Sequence, residues 1–116
     1  SASLAVNNSA TATVTGFKGY ALLSIQTSSA AWVTVYSSSA AQSSDSSRTI
    51  TTDPTPGSGV IAEAITASGT TQYFSPAVIG YNNDLPVTTS VYLKITNTGA
   101  ASAAITVTLT MIKLEA

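Results

Sequence analysis

Ser90-Val-Tyr-Leu-Lys-Ile-Thr96, followed after a short gap by Ala104-Ile-Thr-Val-Thr-Leu-Thr-Met-Ile-Lys-Leu114, is the stretch whose reading decides the fold. Val91, Leu93 and Ile95 alternate with Tyr92, Lys94 and Thr96, and Ile105, Val107 and Leu109 alternate with Thr106, Thr108 and Thr110. A period of two puts each apolar set on one face of a strand, the pattern of an antiparallel sheet with one side on a core. Asn97-Thr-Gly99 between the two runs reads as a hairpin turn. At the end of the second run the phase changes, since Leu109 and Met111 are odd positions while Ile112 and Leu114 are even. Either a β-bulge near Met111 absorbs the change or the strand end is buried on both faces.

Four more segments carry the same β-branched and aromatic signature: Tyr20–Thr27, Trp32–Ser37, Gly59–Thr66 and Thr71–Ser75. Val33 and Val35 share one face, opposed by Trp32, Thr34 and Tyr36. Ser37–Ser47 is mostly Ser, without apolar periodicity, and reads as a loop. Asp53-Pro-Thr-Pro-Gly-Ser-Gly59 reads as a stiff turn in which the prolines fix φ and Gly57 and Gly59 can take positive φ. Residues 1–16 hold only Leu4, Val6 and Val14 as apolar anchors, which suits an extended N-terminal arm or a first edge strand ahead of a domain spanning 17–116. Short strands, turns and no helix predict two packed antiparallel sheets, a β-sandwich of jelly-roll type, with a small barrel as the alternative.

With 116 residues there is room for one core. A domain of this size buries about two-thirds of its unfolded surface, so a lone copy is modestly stable. Charged residues make up 8% of the chain, where about 25% is usual. In their place stand 18 serines and 19 threonines, and the net charge is −1. Such a surface repels its own copies weakly and predicts self-association.

The same composition excludes several functions. Lys18, Arg48, Lys94 and Lys113 are too scattered to neutralise neighbouring phosphates, so neither nucleic acid nor a membrane surface is an expected partner. No run of 18 apolar residues spans a bilayer, and Ser1–Ala10 lacks the basic and apolar regions of a secretory signal, so the expected place of synthesis is the cytoplasm. The chain has neither His nor Cys, which removes the usual bases, thiol nucleophiles and ligands for zinc or redox metals. We expect no catalytic residue, no cofactor and no metal. Lys94 reads as a solvated strand lysine. Asn82-Asn83-Asp84, with Asp53, has the oxygens for calcium but not the acidic density, and reads as a side-chain-capped turn.

Glu63 lies in phase between Ile61 and Ile65, so it faces the interior or an interface and needs a partner. Arg48, the sole arginine, is the expected one, in a structural bridge to Glu63, Asp45 or Asp53. Trp32 and Tyr36 share strand parity and could stack on a sugar, but a face of large aromatics more often packs against a sheet or a subunit.

Lys18-Gly-Tyr-Ala-Leu22, Ala31-Trp-Val-Thr-Val-Tyr36, Asp45-Ser-Ser-Arg48, Asp53-Pro-Thr-Pro-Gly-Ser-Gly-Val-Ile-Ala-Glu63 and Tyr81-Asn-Asn83, taken in order, resemble a family of small virion structural proteins of tailed bacteriophages, cyanophages among them. The likeness runs from Gly16 to Leu114, and Asp53–Glu63 is its most specific part. Members often carry Arg after the Trp-Val pair where this chain has Thr34, so a charged contact there does not carry over. The resemblance implies a non-enzymatic particle component on the capsid surface. It points to a decoration (cement) protein that contacts the major capsid protein, or else to a tail-fibre or carbohydrate-binding module. A homotrimer suits such a protein. Trp32, Tyr36, Tyr81, Ile112 and Leu114 are the expected contact residues between copies or partners, with residues 1–16 and the Asp53–Gly59 turn expected against the shell.

Overall fold

A computed structural model of the chain describes residues 3–116 and contains, among them, seven strands and one short helix. They run β1 (Ser9–Thr15), β2 (Gly19–Thr27), β3 (Ala31–Tyr36), α1 (Ser39–Ser44), β4 (Val60–Thr66), β5 (Thr71–Tyr81), β6 (Ser90–Asn97) and β7 (Val107–Glu115). A four-stranded antiparallel sheet ordered β1-β6-β3-β4 packs on a three-stranded one ordered β5-β2-β7, which makes a β-sandwich. Among the described residues no helix is long and apolar enough to cross a membrane.

The core is what period two predicts. Val33, Val35, Val91, Leu93 and Ile95 from the larger sheet meet Tyr20, Leu22 and Ile25 from the smaller. A buried hydrogen bond between the hydroxyls of Thr27 and Thr66 links the two sheets at one end. Gly80 lies opposite Tyr20 in the β2–β5 register, and a Cβ there would fall 2.2 Å from the Tyr20 ring. That glycine is therefore the space into which the largest side chain of β2 fits.

Four expectations change. Ser37–Ser47 is not all loop: Ser38 caps α1 by accepting a hydrogen bond from the Ala41 backbone N–H at 3.1 Å, and Ala41 is buried. A cap and one buried methyl offset the weak helix propensity of serine. Asn97–Gly99 is not a hairpin, because β6 and β7 belong to different sheets. The buried Asn97 amide instead donates to the carbonyls of Leu4 and Ala101 and accepts from the Gly99 N–H, so one side chain satisfies the crossover. The β2–β7 register is irregular at two places: Leu23 of β2 is an extra residue opposite Thr110 and Met111, and Leu114 is an extra residue in β7 itself. Tyr20 faces Lys113 and Gly19 faces Glu115, while Ile112 keeps its alternation and turns outward opposite Ala21. Finally, β5 extends beyond Ser75 to Tyr81. At the N-terminus, Ser9–Thr15 forms the edge strand β1 beside β6, and Leu4 bridges Ala103. Ser1 and Ala2 of the expected arm lie outside the described residues.

Candidate contact site

The register of the larger sheet sets Glu63 of β4, Thr34 of β3 and Lys94 of β6 side by side on its outer face. Trp32 and Tyr36 flank this row. Residues 37–59 fold back over it and deliver Asp45 and Arg48. Arg48 Nε and Nη2 donate to Asp45 at 2.8 and 3.0 Å, and Nη2 also reaches Glu63 Oε2 at 2.6 Å. Glu63 Oε2 further accepts from Trp32 Nε1 at 2.8 Å and Thr34 Oγ1 at 3.0 Å, and Asp45 Oδ2 from Tyr36 Oη at 2.6 Å. Lys94, 2% exposed, donates to the Asp45 carbonyl at 2.9 Å and lies 3.6 Å from its carboxylate. Both cations lie against the indole, with Lys94 Nζ 4.6 Å and Arg48 Cζ 5.1 Å from the Trp32 ring centroid.

Two cations balance two anions, the condition under which buried charge is tolerable. Burial would raise the Asp45 carboxyl, but hydrogen bonds from Arg48 and Tyr36 and the nearby cations hold it below the usual carboxylate range. Burial pushes the Tyr36 phenol up, helped by its bond to Asp45. The bond to Asp45, against the opposing effect of burial, and the further bond to Glu63 raise Arg48. Burial lowers Lys94, with Asp45 opposing. Each group is engaged with another of the cluster, and the arrangement fastens residues 37–59 to the sheet. Gly59 closes the segment with φ +90°, where a Cβ would meet Ala41 Cβ at 2.6 Å. The Asp53–Glu63 stretch therefore ends the covering segment at Gly59 and supplies one of the cluster's carboxylates at Glu63.

Three expectations are corrected at this cluster. Trp32 and Tyr36 are buried beneath their own chain, so neither offers a face to a sugar or a subunit. Asp53 is exposed and outside the bridge; Arg48 takes Asp45, Glu63 and the Thr52 carbonyl instead. Lys94 is not solvated, because the covering segment, invisible to strand alternation, encloses it.

Tyr81 and Ile112 lie on the outer face of the smaller sheet. Ile79, Ala21 and Ile112 form one cross-strand row, and Tyr81 and Gly19 occupy the next, while Leu114 is the extra residue of β7. Ile79, Tyr81, Ile112 and Leu114 are each more than half exposed.

One exposed apolar side chain escapes the sequence reading. Leu85 is 97% exposed at the tip of the loop between β5 and β6. The loop is pinned by buried Asn82, whose carbonyl oxygen accepts from the N–H groups of Asp84 and Thr88, both at 3.0 Å. Its amide donates to the Ser90 carbonyl at 2.9 Å and Thr88 Oγ1 at 3.0 Å. Asp84 accepts from Tyr92 Oη at 2.7 Å and the Ser39 N–H at 3.1 Å. The Tyr92 bond leads in holding the Asp84 carboxyl below its usual range. Asn82-Asn83-Asp84 is thus a side-chain-capped turn that projects an apolar tip.

No protein family, no curated protein and no solved structure matches the chain.

Proposed function

We propose that this chain is a structural component of a tailed-bacteriophage particle, a decoration protein that binds the major capsid protein at the capsid surface and stabilises the shell. The observation that carries the reading is the braced loop 82–88. A fully exposed leucine forgoes about 1.5–3 kcal/mol of available burial. Bracing removes much of the ordering cost of inserting it into a partner's apolar pocket. Charge accounting supports the same reading. Of nine charged side chains, Asp45, Arg48, Glu63 and Lys94 are consumed in the cluster and Asp84 in the loop, leaving Lys18, Asp53, Lys113 and Glu115 for a largely hydroxyl-covered surface. That surface suits close, salt-insensitive packing on another protein. The phage assignment rests on the resemblance of Asp53–Glu63 and its companion stretches.

The test is genome retention. Particles lacking the protein are expected to assemble and to release DNA at a lower temperature than complete particles. Equal release temperatures overturn the proposal.

A further inference from the structure

The geometry points to the open edge of β1 as the place where two copies of this chain pair, strand against strand and antiparallel about Ala12. The pairing is between copies in solution and does not depend on a shell.

Of the four sheet edges formed by the described residues, β1 alone carries nothing that blunts an edge. β4 has Glu63 in its middle and an irregular register with β3, β5 has Pro76 and an irregular register with β2, and β7 has Lys113, Glu115 and the extra residue Leu114. Charge, proline and bulges are the devices that keep edges from pairing. β1 reads Ser-Ala-Thr-Ala-Thr-Val-Thr, with no charge, proline or glycine, and its register is unbroken from Ser9 opposite Thr96 to Thr15 opposite Ser90. A short uncharged run of this kind is a template for a further strand.

Hydrogen-bond phase identifies the groups on offer. Just beyond the two ends of β1, the Asn97 N–H donates to the Asn8 carbonyl at 3.0 Å and the Gly16 N–H to the Thr89 carbonyl at 2.7 Å, so the even-numbered residues of the strand bond β6. Alternation then turns the N–H and C=O groups of Ser9, Thr11, Thr13 and Thr15 to the open edge, where none has a backbone partner among the described residues.

A second copy matches these groups to themselves. With Ala12 on a two-fold axis, Ser9 lies opposite Thr15 and Thr11 opposite Thr13 of the other copy, so every open N–H and C=O is paired and hydroxyl meets hydroxyl. A register shifted by two residues leaves one open residue of each copy unpaired. The other row, Ala10, Ala12 and Val14, lies beside Ile95, Leu93 and Val91 of the core. Across the axis Ala12 meets Ala12, and Val14, 37% exposed, meets Ala10. Ala10 borders a cleft shared with Leu4, Ile95 and Ile105, so the valine of each copy is carried to an apolar cleft in the other. Each β1 has one open edge and pairing consumes it in both copies, so the contact is isologous and closes at two.

Sedimentation velocity measures the pairing. The weight-average mass of the wild-type chain is expected to climb from one copy toward two between about 10 µM and 1 mM, the range of weak pairs. Thr13→Pro removes an N–H that points away from β6 and is expected to stay at one copy, while Thr13→Val and Ile112→Thr keep every open backbone group and still pair. Because the chain has no cysteine, Ala12→Cys under mild oxidation reports the axis directly. Its two Cα atoms lie about 4.5 Å apart in a non-hydrogen-bonded pair, within disulfide reach. In Ala10→Cys the two sulfurs are separated by four residues, about 13 Å along the strands, and a covalent dimer is expected at less than about a tenth of the Ala12→Cys yield. This comparison stands whether or not the proline is tolerated. A wild type that stays monomeric, a trimer, pairing that survives Thr13→Pro, or equal yields from the two cysteine variants each overturns the inference.

Discussion

The ammonium of Lys94 lies 4.6 Å from the centre of the Trp32 ring, beneath a segment more than forty positions earlier in the chain. The pair shows how this domain handles charge. Its outer sheet face is capped by its own backbone, and the cap is held by ions, with both cations against the indole. Arg48 and Lys94 are not equivalent there, because Arg48 bridges both carboxylates while Lys94 serves Asp45 alone.

Arg48→Met therefore leaves Glu63 without a cation and Asp45 with Lys94 alone, and is expected to cost about 3–5 kcal/mol, the range for breaking a buried pair. Lys94→Met leaves Asp45 bonded to Arg48 and Tyr36 and loses a cation–π contact, at a cost below about 2 kcal/mol. Urea unfolding followed by Trp32 fluorescence measures both. Equal losses contradict the division of labour.

Acid should loosen the fold in a defined window. Asp45 and Asp84 are both held below the usual carboxylate range in the folded chain. Their contribution is fully present above the unfolded value of about 3.9 and is lost as pH falls through the lower folded values. The urea midpoint is expected to hold between pH 7 and 5 and then fall below about pH 4. The fall should be shallower in Arg48→Met. A midpoint independent of pH down to 2 contradicts this.

Much of the sandwich was legible because period-two alternation is a direct consequence of strand geometry. Val91, Leu93 and Ile95 face the core, as do Val33 and Val35. The same rule reads only one strand at a time. It placed Lys94 and Tyr36 on a polar face without seeing that residues 37–59 cover it, and it read Asn97–Gly99 as a hairpin where the chain changes sheets. Arg48–Glu63 was legible from scarcity, since one arginine and a mid-strand carboxylate have few other partners. Asp45 prevailed over Asp53 as the second carboxylate because α1 carries it over the sheet, and nothing in a Ser-rich run announces that helix except Ser38 before it and Gly59 beneath it. Leu85 was missed because a lone Leu-Pro in a polar loop has no periodic signature; the signal was the bracketing Asn82 and Thr88.

Asn82→Ala removes the acceptor for two loop N–H groups and is expected to cost about 1–3 kcal/mol. Its sharper signature is local: amide exchange at Asp84 and Thr88 should accelerate far more than at Leu93. Uniform acceleration would mean that Asn82 supports the whole domain and not the loop.

Tyr20 is buried, its phenol pushed up to about 12 by desolvation, and its hydroxyl has no hydrogen-bond partner among the described residues. Tyr20→Phe is therefore expected to raise the thermal midpoint, with a gain of about 1 kcal/mol. Gly80→Ala drives a methyl into the same ring and should cost about 1–3 kcal/mol. A destabilised Tyr20→Phe contradicts the assignment of an unpartnered hydroxyl.

On the proposed function, this protein acts by contact through its braced loop 82–88. The most direct measurement adds purified protein back to particles that lack it and counts bound copies per particle. Wild type and Ile112→Thr are expected to bind the particles and restore the temperature of DNA release, whereas Leu85→Asp, altered at a fully exposed side chain, binds poorly and restores nothing. Full occupancy and full rescue by Leu85→Asp would contradict the claim.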